Sequence, residues 1–265
     1  MVIVSKLKKV FPDGTVALNG ISLKVEEGQF TVILGPSGAG KTTLLRSING
    51  LVKPSKGDVT VDGIKVIDEN YRKIRTLVGM VFQHFNLVGN LSVIKNVLSG
   101  SLGTHQKWWS NLFLFPKSHQ IKALNLLDRV GLLDKAYNRA DELSGGEQQR
   151  VGIARAMMQE PKVLLADEPV ASVDPTNSSN ILSLLRDLCK EKKVTVLCCL
   201  HQVDLALQFS DRIVGFTNGQ LIFNDNTSNL NRDSLRKIYD ETSVEGMFFG
   251  SDMKTPDISH IQWKE

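Results

Sequence analysis

A glycine-rich stretch has the residue types and spacing to hold a phosphate group. It reads Gly35-Pro-Ser-Gly-Ala-Gly-Lys-Thr42 and fits the pattern G-x-x-x-x-G-K-[ST]. Glycines let the backbone curl closely around an anion, so that several N–H groups converge on it. In this pattern the lysine reaches the β- and γ-phosphate oxygens, and the hydroxyl of Thr42 ligates Mg²⁺. The order of the glycines differs from G-x-G-x-x-G, which disfavours a dinucleotide-binding enzyme.

Two adjacent carboxylates could hold a metal ion and a water molecule. Asp167 and Glu168 follow the apolar run Val163–Ala166, and α/β sheets bind ligands at the carboxyl ends of their strands. We expect Asp167 to hold Mg²⁺ through water, and Glu168 to orient or deprotonate the water that attacks a γ-phosphate. By itself, Asp-Glu-Pro after a strand is more typical of a solvated turn. Its pairing with a phosphate loop favours a site.

A third pattern lies at Leu143–Gln148. Ser144 and Glu147 fit the S-x-x-E capping box, so a well-capped helix would explain the pattern without any ligand. However, Gly145 and Gly146 in the first turn lower helix propensity by roughly 2 kcal/mol relative to alanine. That cost is understandable if a ligand must approach the bare backbone, because a helix N-terminus attracts anions. The sequence therefore predicts two anion sites but only one phosphate loop.

Alternating strand and helix patterns position these residues. Short apolar stretches within residues 1–27 predict antiparallel strands, and residues 84–140 predict a mainly helical insert. In that insert, Ile121, Leu124, Leu127 and Val130 indicate an amphipathic helix. The other predicted elements are strands at Phe30–Leu34, Gly57–Val61, Leu77–Phe82, Val163–Ala166 and Val194–Leu200, helices at Thr42–Ile48, Ser144–Gln159 and Ile181–Lys190, and a hairpin of Arg212–Thr217 and Gln220–Asn224 around Asn218-Gly219. This alternation predicts an α/β fold with a mainly parallel core sheet.

Composition excludes several classes of protein. The 265 residues include 32 Lys and Arg against 28 Asp and Glu, a net charge of +4, which is too small for a polyanion-binding arm. We therefore expect no nucleic-acid partner. No apolar run approaches the roughly 18–20 residues that span a bilayer, and Met1–Phe11 lacks the features of a signal peptide. The three cysteines, two of them adjacent, argue for a reducing compartment.

Taken together, the three motifs resemble those of the nucleotide-binding subunits of ABC (ATP-binding cassette) transporters over about residues 2–240. The resemblance implies a P-loop NTPase fold in which an N-terminal antiparallel β subdomain and a helical subdomain carrying the signature motif flank the parallel core sheet.

It also implies a role for each matching residue. The implied ATP-binding residues are Phe11, Gly35, Pro36, Ser37, Gly38, Ala39, Gly40, Lys41, Thr42 and Thr43. The implied catalytic residues are Glu168, His201 and Gln83, and the implied Mg²⁺ ligands are Thr42, Gln83 and Asp167. The signature residues, which would contact the ATP of a second copy, are Ser144, Gly145, Gly146 and Glu147, and Asp174 would contact that copy. The family more often has tyrosine at position 11 and leucine at position 173, where this chain has Phe11 and Val173.

The same resemblance implies the surroundings in which the chain works. It would bind ATP and Mg²⁺, pair with a second copy of itself and act with transmembrane permease subunits and an extracytoplasmic solute-binding protein. It would lie peripherally on the cytoplasmic face of the cell membrane. We expect an ATPase domain over residues 1–241, with its helical subdomain at about 84–160, and a C-terminal tail over residues 242–265.

Several stretches resemble the ATPases of phosphonate importers in particular. They are Leu98–Leu102, Phe113–Pro116, Arg129–Leu133, Lys135–Asp141, Glu168–Asp174 and Leu200–Ala206, together with Trp108 and Trp109. The aromatic cluster at residues 108–115, which contains Trp108, Trp109, Phe113 and Phe115, would pack within the helical insert or form an apolar patch for a membrane partner. The resemblance implies an importer of phosphonate or a related phosphorus oxyanion. The alternatives are an ABC ATPase serving another solute, an exporter, an ABC-type protein acting on ribosomes, or a non-transport accessory protein of phosphonate metabolism.

Overall fold

The structure is a computed structural model that describes residues 1–103, 115–171 and 173–239. Trp108, Trp109 and Phe113 of the predicted aromatic cluster lie outside the described residues, as does the predicted tail at 242–265. Phe115 of that cluster is 8% exposed and packs in the hydrophobic core of the helical insert. Within the described ranges, none of the helices has the length and apolar character needed to cross a membrane.

The described residues form a six-stranded sheet with the spatial order β10-β9-β3-β8-β7-β6. The strands β9, β3, β8, β7 and β6 run parallel, whereas β10 pairs antiparallel with β9. Every residue of β3, β6, β7 and β8 is buried, because helices or the second sheet cover both faces of the parallel core. The bounds are β3 Phe30–Leu34, β6 Val78–Val81, β7 Val163–Asp167, β8 Thr195–Cys199, β9 Arg212–Thr217 and β10 Gln220–Asn226.

A four-stranded antiparallel sheet covers one face of this core. Its order is β2-β1-β4-β5, with β1 Val2–Val10, β2 Val16–Val25, β4 Lys56–Val61 and β5 Ile64–Lys65. The helix α1 (Lys41–Ile48) packs between the two sheets through Leu44, Leu45 and Ile48, which are fully buried. The predicted antiparallel N-terminal region is therefore confirmed, and it holds the helix that follows the glycine-rich loop.

The helices α3 (Val93–Ser99), α4 (Lys117–Arg129) and α5 (Gly145–Met158) form the helical subdomain around a core of its own. The predicted amphipathic helix is confirmed as α4, but its predicted apolar stripe is partly wrong. Ile121 is 50% exposed, whereas Ala123 and Leu127 are completely buried. A helix has 3.6 residues per turn, so a series of positions three residues apart does not stay on one face. The buried face instead includes residues 123 and 127, which are four positions apart.

Three helices were not predicted: α2 (Tyr71–Leu77), α7 (Val203–Phe209) and α8 (Arg232–Ile238). Each has seven residues, which is too short for a clear period. The helix α6 (Pro175–Lys192) begins six residues before the predicted start at Ile181. Asp174 caps it and Pro175 occupies its first turn, a combination that favours helix initiation and was visible in the sequence. The predicted α/β fold with its antiparallel and helical subdomains is otherwise confirmed.

Candidate functional site

The glycine-rich loop joins the carboxyl end of β3 to the first turn of α1. Gly35 and Gly40 have φ angles of 153° and 102°, in a region that L side chains rarely adopt. A Cβ atom at Gly35 would lie 2.3 Å from the carbonyl oxygen of Phe216, and one at Gly40 would lie 2.3 Å from that of Ala17. Glycine is therefore required at both ends of the loop, since both conformation and space exclude a side chain.

The side chain of Lys41 folds back onto this loop. Its ammonium donates hydrogen bonds to the carbonyl oxygens of Gly35, at 2.7 Å, and Pro36, at 2.9 Å. Lys41 is only 4% exposed; burial lowers its pKa, and the negative charges of Glu168 and Asp167 act in the opposite direction. Because an ammonium has three donors, one remains for an anion held by the loop.

Thr42 and Asp167 bring two oxygen ligands together. The Thr42 hydroxyl donates to Asp167 Oδ1 at 2.8 Å, so the start of α1 contacts the end of β7. Burial raises the pKa of Asp167, which is 3% exposed, and the hydrogen bond from Thr42 acts to lower it. A hydroxyl and a carboxylate are ligands of the hard-oxygen type that Mg²⁺ prefers, with water and phosphate completing its shell. The residues present therefore fit a Mg²⁺ ion.

Glu168 and His201 meet just beyond the ends of two neighbouring strands. Asp167, at the end of β7, pairs in register with Cys199, at the end of β8. His201 Nε2 lies 2.7 Å from Glu168 Oε1. Glu168 has a φ of 50°, and non-glycine residues in this left-handed region are concentrated at functional sites. The unusual backbone conformation accompanies a carboxylate that is oriented by an imidazole beside the phosphate loop.

Gln83 and Phe11 lie on two further elements, the end of β6 and the β1–β2 turn. Gln83 is half-buried and follows the end of β6, the strand next to β7. Phe11 directly follows β1 and begins the β1–β2 turn, where its N–H donates to the carbonyl oxygen of Thr15. The ammonium of Lys9 lies 5.0 Å from the centre of the Phe11 ring. Their contacts with a nucleotide stay predictions.

The predicted capping box at the start of α5 is confirmed. Ser144 Oγ accepts a hydrogen bond from the Glu147 N–H at 3.4 Å, and Glu147 Oε2 accepts one from the Ser144 N–H at 2.9 Å. Ser144 is exposed, and Gly145 and Gly146 are half-buried. The first turn of α5 is therefore accessible from outside the protomer, and its contact with the ATP of a second copy stays a prediction.

Lys135 stabilises this turn, a contact that the sequence analysis missed. Its ammonium lies 2.5 Å from Glu147 Oε1. This contact, followed by the Ser144 hydrogen bonds, lowers the pKa of Glu147 to about 2. A lysine 12 residues away in the chain, across an irregular segment, gives no periodic signal that could have predicted the pair.

Replacing Glu147 with glutamine should lower the free energy of unfolding at pH 7 by about 2 kcal/mol, because the ion pair with Lys135 is lost. The folded-state pKa of about 2 lies below the usual 4.5. The ionised carboxylate therefore stabilises the fold above about pH 4.5, and this contribution is lost as the pH falls towards 2. Urea unfolding at pH 7 and pH 3 should show the difference from wild type shrinking at the lower pH. Glu69→Gln, at an exposed position, is the control and should show no such convergence; an equal difference at both pH values would contradict the assignment.

Asp174 caps α6. Its carboxylate accepts hydrogen bonds from the N–H of Asn177 at 3.0 Å and from the amide of that side chain at 2.7 Å. The Asn177 side chain, followed by its backbone N–H, lowers the pKa of Asp174. A Cβ atom at Gly146 would lie 3.7 Å from Val173 and 3.9 Å from Asn177. The start of α6 thus lies beside the start of α5, and a contact of Asp174 with a second copy stays a prediction.

The fold is that of α/β proteins with a glycine-rich loop between a central strand and a helix. Comparisons with known proteins identify the family within this class. Residues 18–171 match the family model described as ABC transporter. The phosphonates import ATP-binding protein PhnC of Thiobacillus denitrificans is 51% identical over 242 residues, covering 91% of this chain and 93% of the relative. The phosphonates import ATP-binding protein PhnC 1 of Trichodesmium erythraeum is 49% identical over 247 residues, covering 92% and 97%.

Solved structures agree with this similarity. The dimeric structure of the ATP-binding cassette MJ0796 in a post-hydrolysis state, bound to ADP and Pi, has a TM-score of 0.77 and 32% identity, covering 86% of this chain and 99% of that one. The structure of cbiO1 from Clostridium perfringens, part of the ABC transporter complex cbiONQ, has a TM-score of 0.75 and 31% identity, covering 92% of each chain. The chain belongs to the ABC transporter family, and its fold is that of the ATP-binding cassettes.

Proposed function

We propose that this chain is the ATP-binding and ATP-hydrolysing subunit of an importer for phosphonate or a related phosphorus oxyanion. The relatives support phosphonate as the solute. Two phosphonates import ATP-binding proteins are about half identical to this chain over nine-tenths of its length. The contact between Glu168 and His201 beside the glycine-rich loop carries the proposal of hydrolysis.

In this proposal one protomer supplies the nucleotide-binding half of each site. The ring of Phe11 stacks on the adenine base, and the backbone of Gly35–Thr43, with Lys41, surrounds the phosphates. Glu168 accepts a proton from the attacking water, while His201 orients that carboxylate and hydrogen-bonds the γ-phosphate. Phosphoryl transfer needs an in-line nucleophile, and a carboxylate held from one side by an imidazole can fix the position of the water.

Mg²⁺ would neutralise charge on the phosphate oxygens during transfer. Thr42, Asp167 and Gln83 are the residues proposed to hold it, the carboxylate through water. The hydrogen bond between Thr42 and Asp167 supports this proposal because it keeps the two oxygens together at the end of the glycine-rich loop.

Replacing Thr42 with valine should raise the Mg²⁺ concentration needed for half-maximal ATP turnover by about tenfold or more, because a ligand and its hydrogen bond are removed together. ATP binding measured in EDTA should stay within about twofold of wild type, since the loop backbone makes the phosphate contacts. Ser47→Ala is the control: its hydroxyl, on the same helix, bonds only the Thr43 carbonyl among the described residues. An unchanged Mg²⁺ dependence of Thr42→Val would contradict the assignment.

The second half of each site would come from another copy. The exposed first turn of α5, Ser144–Gly146 with Glu147, would close over the γ-phosphate bound to the partner, and Asp174 would contact that partner. Within the residues that the structure describes, no hydrogen bond or ion pair joins this turn to the glycine-rich loop of the same protomer. The dimeric structure of the related cassette MJ0796 supports pairing of two copies.

Transmembrane permease subunits and an extracytoplasmic solute-binding protein would complete the transporter. We place the chain peripherally on the cytoplasmic face of the membrane, with residues 1–241 as the ATPase domain, about 84–160 as its helical subdomain, and 242–265 as a tail. Co-expression with the permease and binding-protein subunits of a phosphonate importer, followed by reconstitution in vesicles, tests the proposal. Phosphonate-loaded binding protein should stimulate ATP turnover. Stimulation only by another solute would overturn the proposed cargo, and stimulation without a binding protein would favour an exporter.

A further inference from the structure

The first peptide unit of the glycine-rich loop is held from the C-terminal part of the chain. The N–H of Gly35 donates a hydrogen bond of 3.0 Å to the hydroxyl oxygen of Tyr239. Tyr239 is 5% exposed, and burial raises its pKa to about 12, so the hydroxyl stays neutral at physiological pH. No motif in the sequence singled out this tyrosine, which lies 204 residues from its partner.

The helix α8 brings Tyr239 to the loop by packing on β9 at Gly215, which has no side chain. Gly215 pairs in register with Leu34, the last residue of β3. A Cβ atom at Gly215 would lie 2.3 Å from Cδ1 of Ile238, so only glycine lets the end of α8 approach this closely. Ile238 is 1% exposed, and the next residue therefore reaches the point where β3 turns into the loop.

Gly35 contacts both Tyr239 and Lys41, through the two peptide units that meet at its Cα atom. The carbonyl oxygen of Gly35 accepts a hydrogen bond from the Lys41 ammonium at 2.7 Å. A continuous chain of contacts thus runs from the Tyr239 hydroxyl to the Gly35 N–H, across the Gly35 Cα atom to its carbonyl group, and on to the Lys41 ammonium. A separate bond, from the N–H of Gly219 to the carbonyl oxygen of Ala39 at 3.0 Å, fixes the other end of the loop.

We infer that Tyr239 is a positioning residue for ATP binding: its hydroxyl holds the N–H of Gly35, and this fixes the backbone of the residue whose carbonyl oxygen binds Lys41 and aims it at the phosphates. The inference rests on the proposed ATP site and adds a residue to it. A buried N–H without an acceptor is costly, so a chain lacking this hydroxyl would populate loop conformations in which Gly35 finds another acceptor. The apparent affinity for ATP is then reduced in proportion to the fraction of molecules whose loop is competent to bind.

Tyr239→Phe in the full chain tests this inference, because phenylalanine keeps the buried ring and removes only the hydroxyl. We expect the KM for ATP to rise about five- to tenfold, and kcat at saturating ATP to stay within about twofold, because bound nucleotide restores the competent loop. Tyr71→Phe is the matched control: it also removes only a tyrosine hydroxyl, one that bonds Asp68 outside the glycine-rich loop, and should at most lower the thermal midpoint while leaving KM unchanged. A purely structural role for Tyr239 would give the same pattern as this control and would overturn the inference.

Hydrogen exchange of the wild-type chain gives a second test that does not depend on how the variant folds. The Gly35 amide should be protected nearly as well as the amides of β3, whereas exchange at the rate of an exposed turn would overturn the inference. ATP binding by the wild type separates the two levels of the proposal. If the wild type binds no ATP, the proposed function fails; if it binds ATP but Tyr239→Phe has an unchanged KM, only the role of Tyr239 fails.

Discussion

Replacing Glu168 with glutamine should abolish most ATP turnover while ATP binding is retained. Glutamine keeps the shape of the side chain and can still contact His201, but it cannot accept a proton from the attacking water. Loss of a general base costs about 10²–10⁴ in rate, or roughly 3–5.5 kcal/mol of activation free energy. Binding should persist because the glycine-rich loop and Lys41 hold the phosphates without the carboxylate.

The same variant should accumulate as a closed pair in the presence of ATP. If ATP joins two copies and hydrolysis releases them, a chain that binds but does not hydrolyse stays in the joined state. Shifting such an equilibrium from mostly open to mostly closed takes roughly 5.5 kcal/mol of differential affinity, shared by two nucleotides.

Rapid-quench single-turnover assays and size-exclusion chromatography with ATP measure the two effects. Asp187→Asn on the exposed face of α6 removes a carboxylate away from the site and should behave as wild type in both. Full turnover by Glu168→Gln would refute the assignment of the base. Loss of turnover without any ATP-dependent pairing would refute the coupling between hydrolysis and release.

Local sequence patterns predicted the parts of this site that are formed by residues close together in the chain. The capping box depends only on a spacing of three residues between Ser144 and Glu147. The glycine-rich loop depends only on glycines that can adopt positive φ angles and on the strand and helix that flank it. The apolar runs of β7 and β8 were sufficient to place Glu168 and His201 after two buried strands, because buried parallel strands read as continuous apolar stretches. That these strands are neighbours in the sheet was not predicted. Their 2.7 Å contact required the structure.

The contacts that sequence patterns could not predict connect residues far apart in the chain. Tyr239 meets Gly35 across 204 positions, and a single tyrosine has no period that indicates a partner. Gly215 resembles any glycine in a strand until the helix packed against it is known. The buried stripe of α4 was shifted for a similar reason, since neighbouring helices, and not the apolar residues of α4 alone, decide which face is covered.

Replacing Ser144 with arginine should block ATP turnover by preventing closure of the pair. Ser144 is exposed at the start of α5, so a long cationic side chain there would occupy the space that the partner's ATP needs. The loss of the cap costs about 1 kcal/mol of stability, which leaves the fold and the glycine-rich loop intact. ATP binding by the isolated protomer should therefore stay close to wild type. Ser144→Thr keeps a capping hydroxyl and should retain turnover.

Mixing two inactive variants makes this prediction sharper. Ser144→Arg has an intact loop and a blocked α5 turn, whereas Lys41→Ala has a defective loop and an intact turn. A mixed pair therefore contains one complete site, built from the loop of the first variant and the turn of the second, together with one site that is defective on both sides. We expect each variant alone to show neither turnover nor ATP-dependent pairing, and the mixture to recover at least one of them. If Ser144→Arg alone turned over ATP normally, the α5 turn would lie outside the catalytic site. If the mixture recovered neither property, the two halves of a site would not come from different copies.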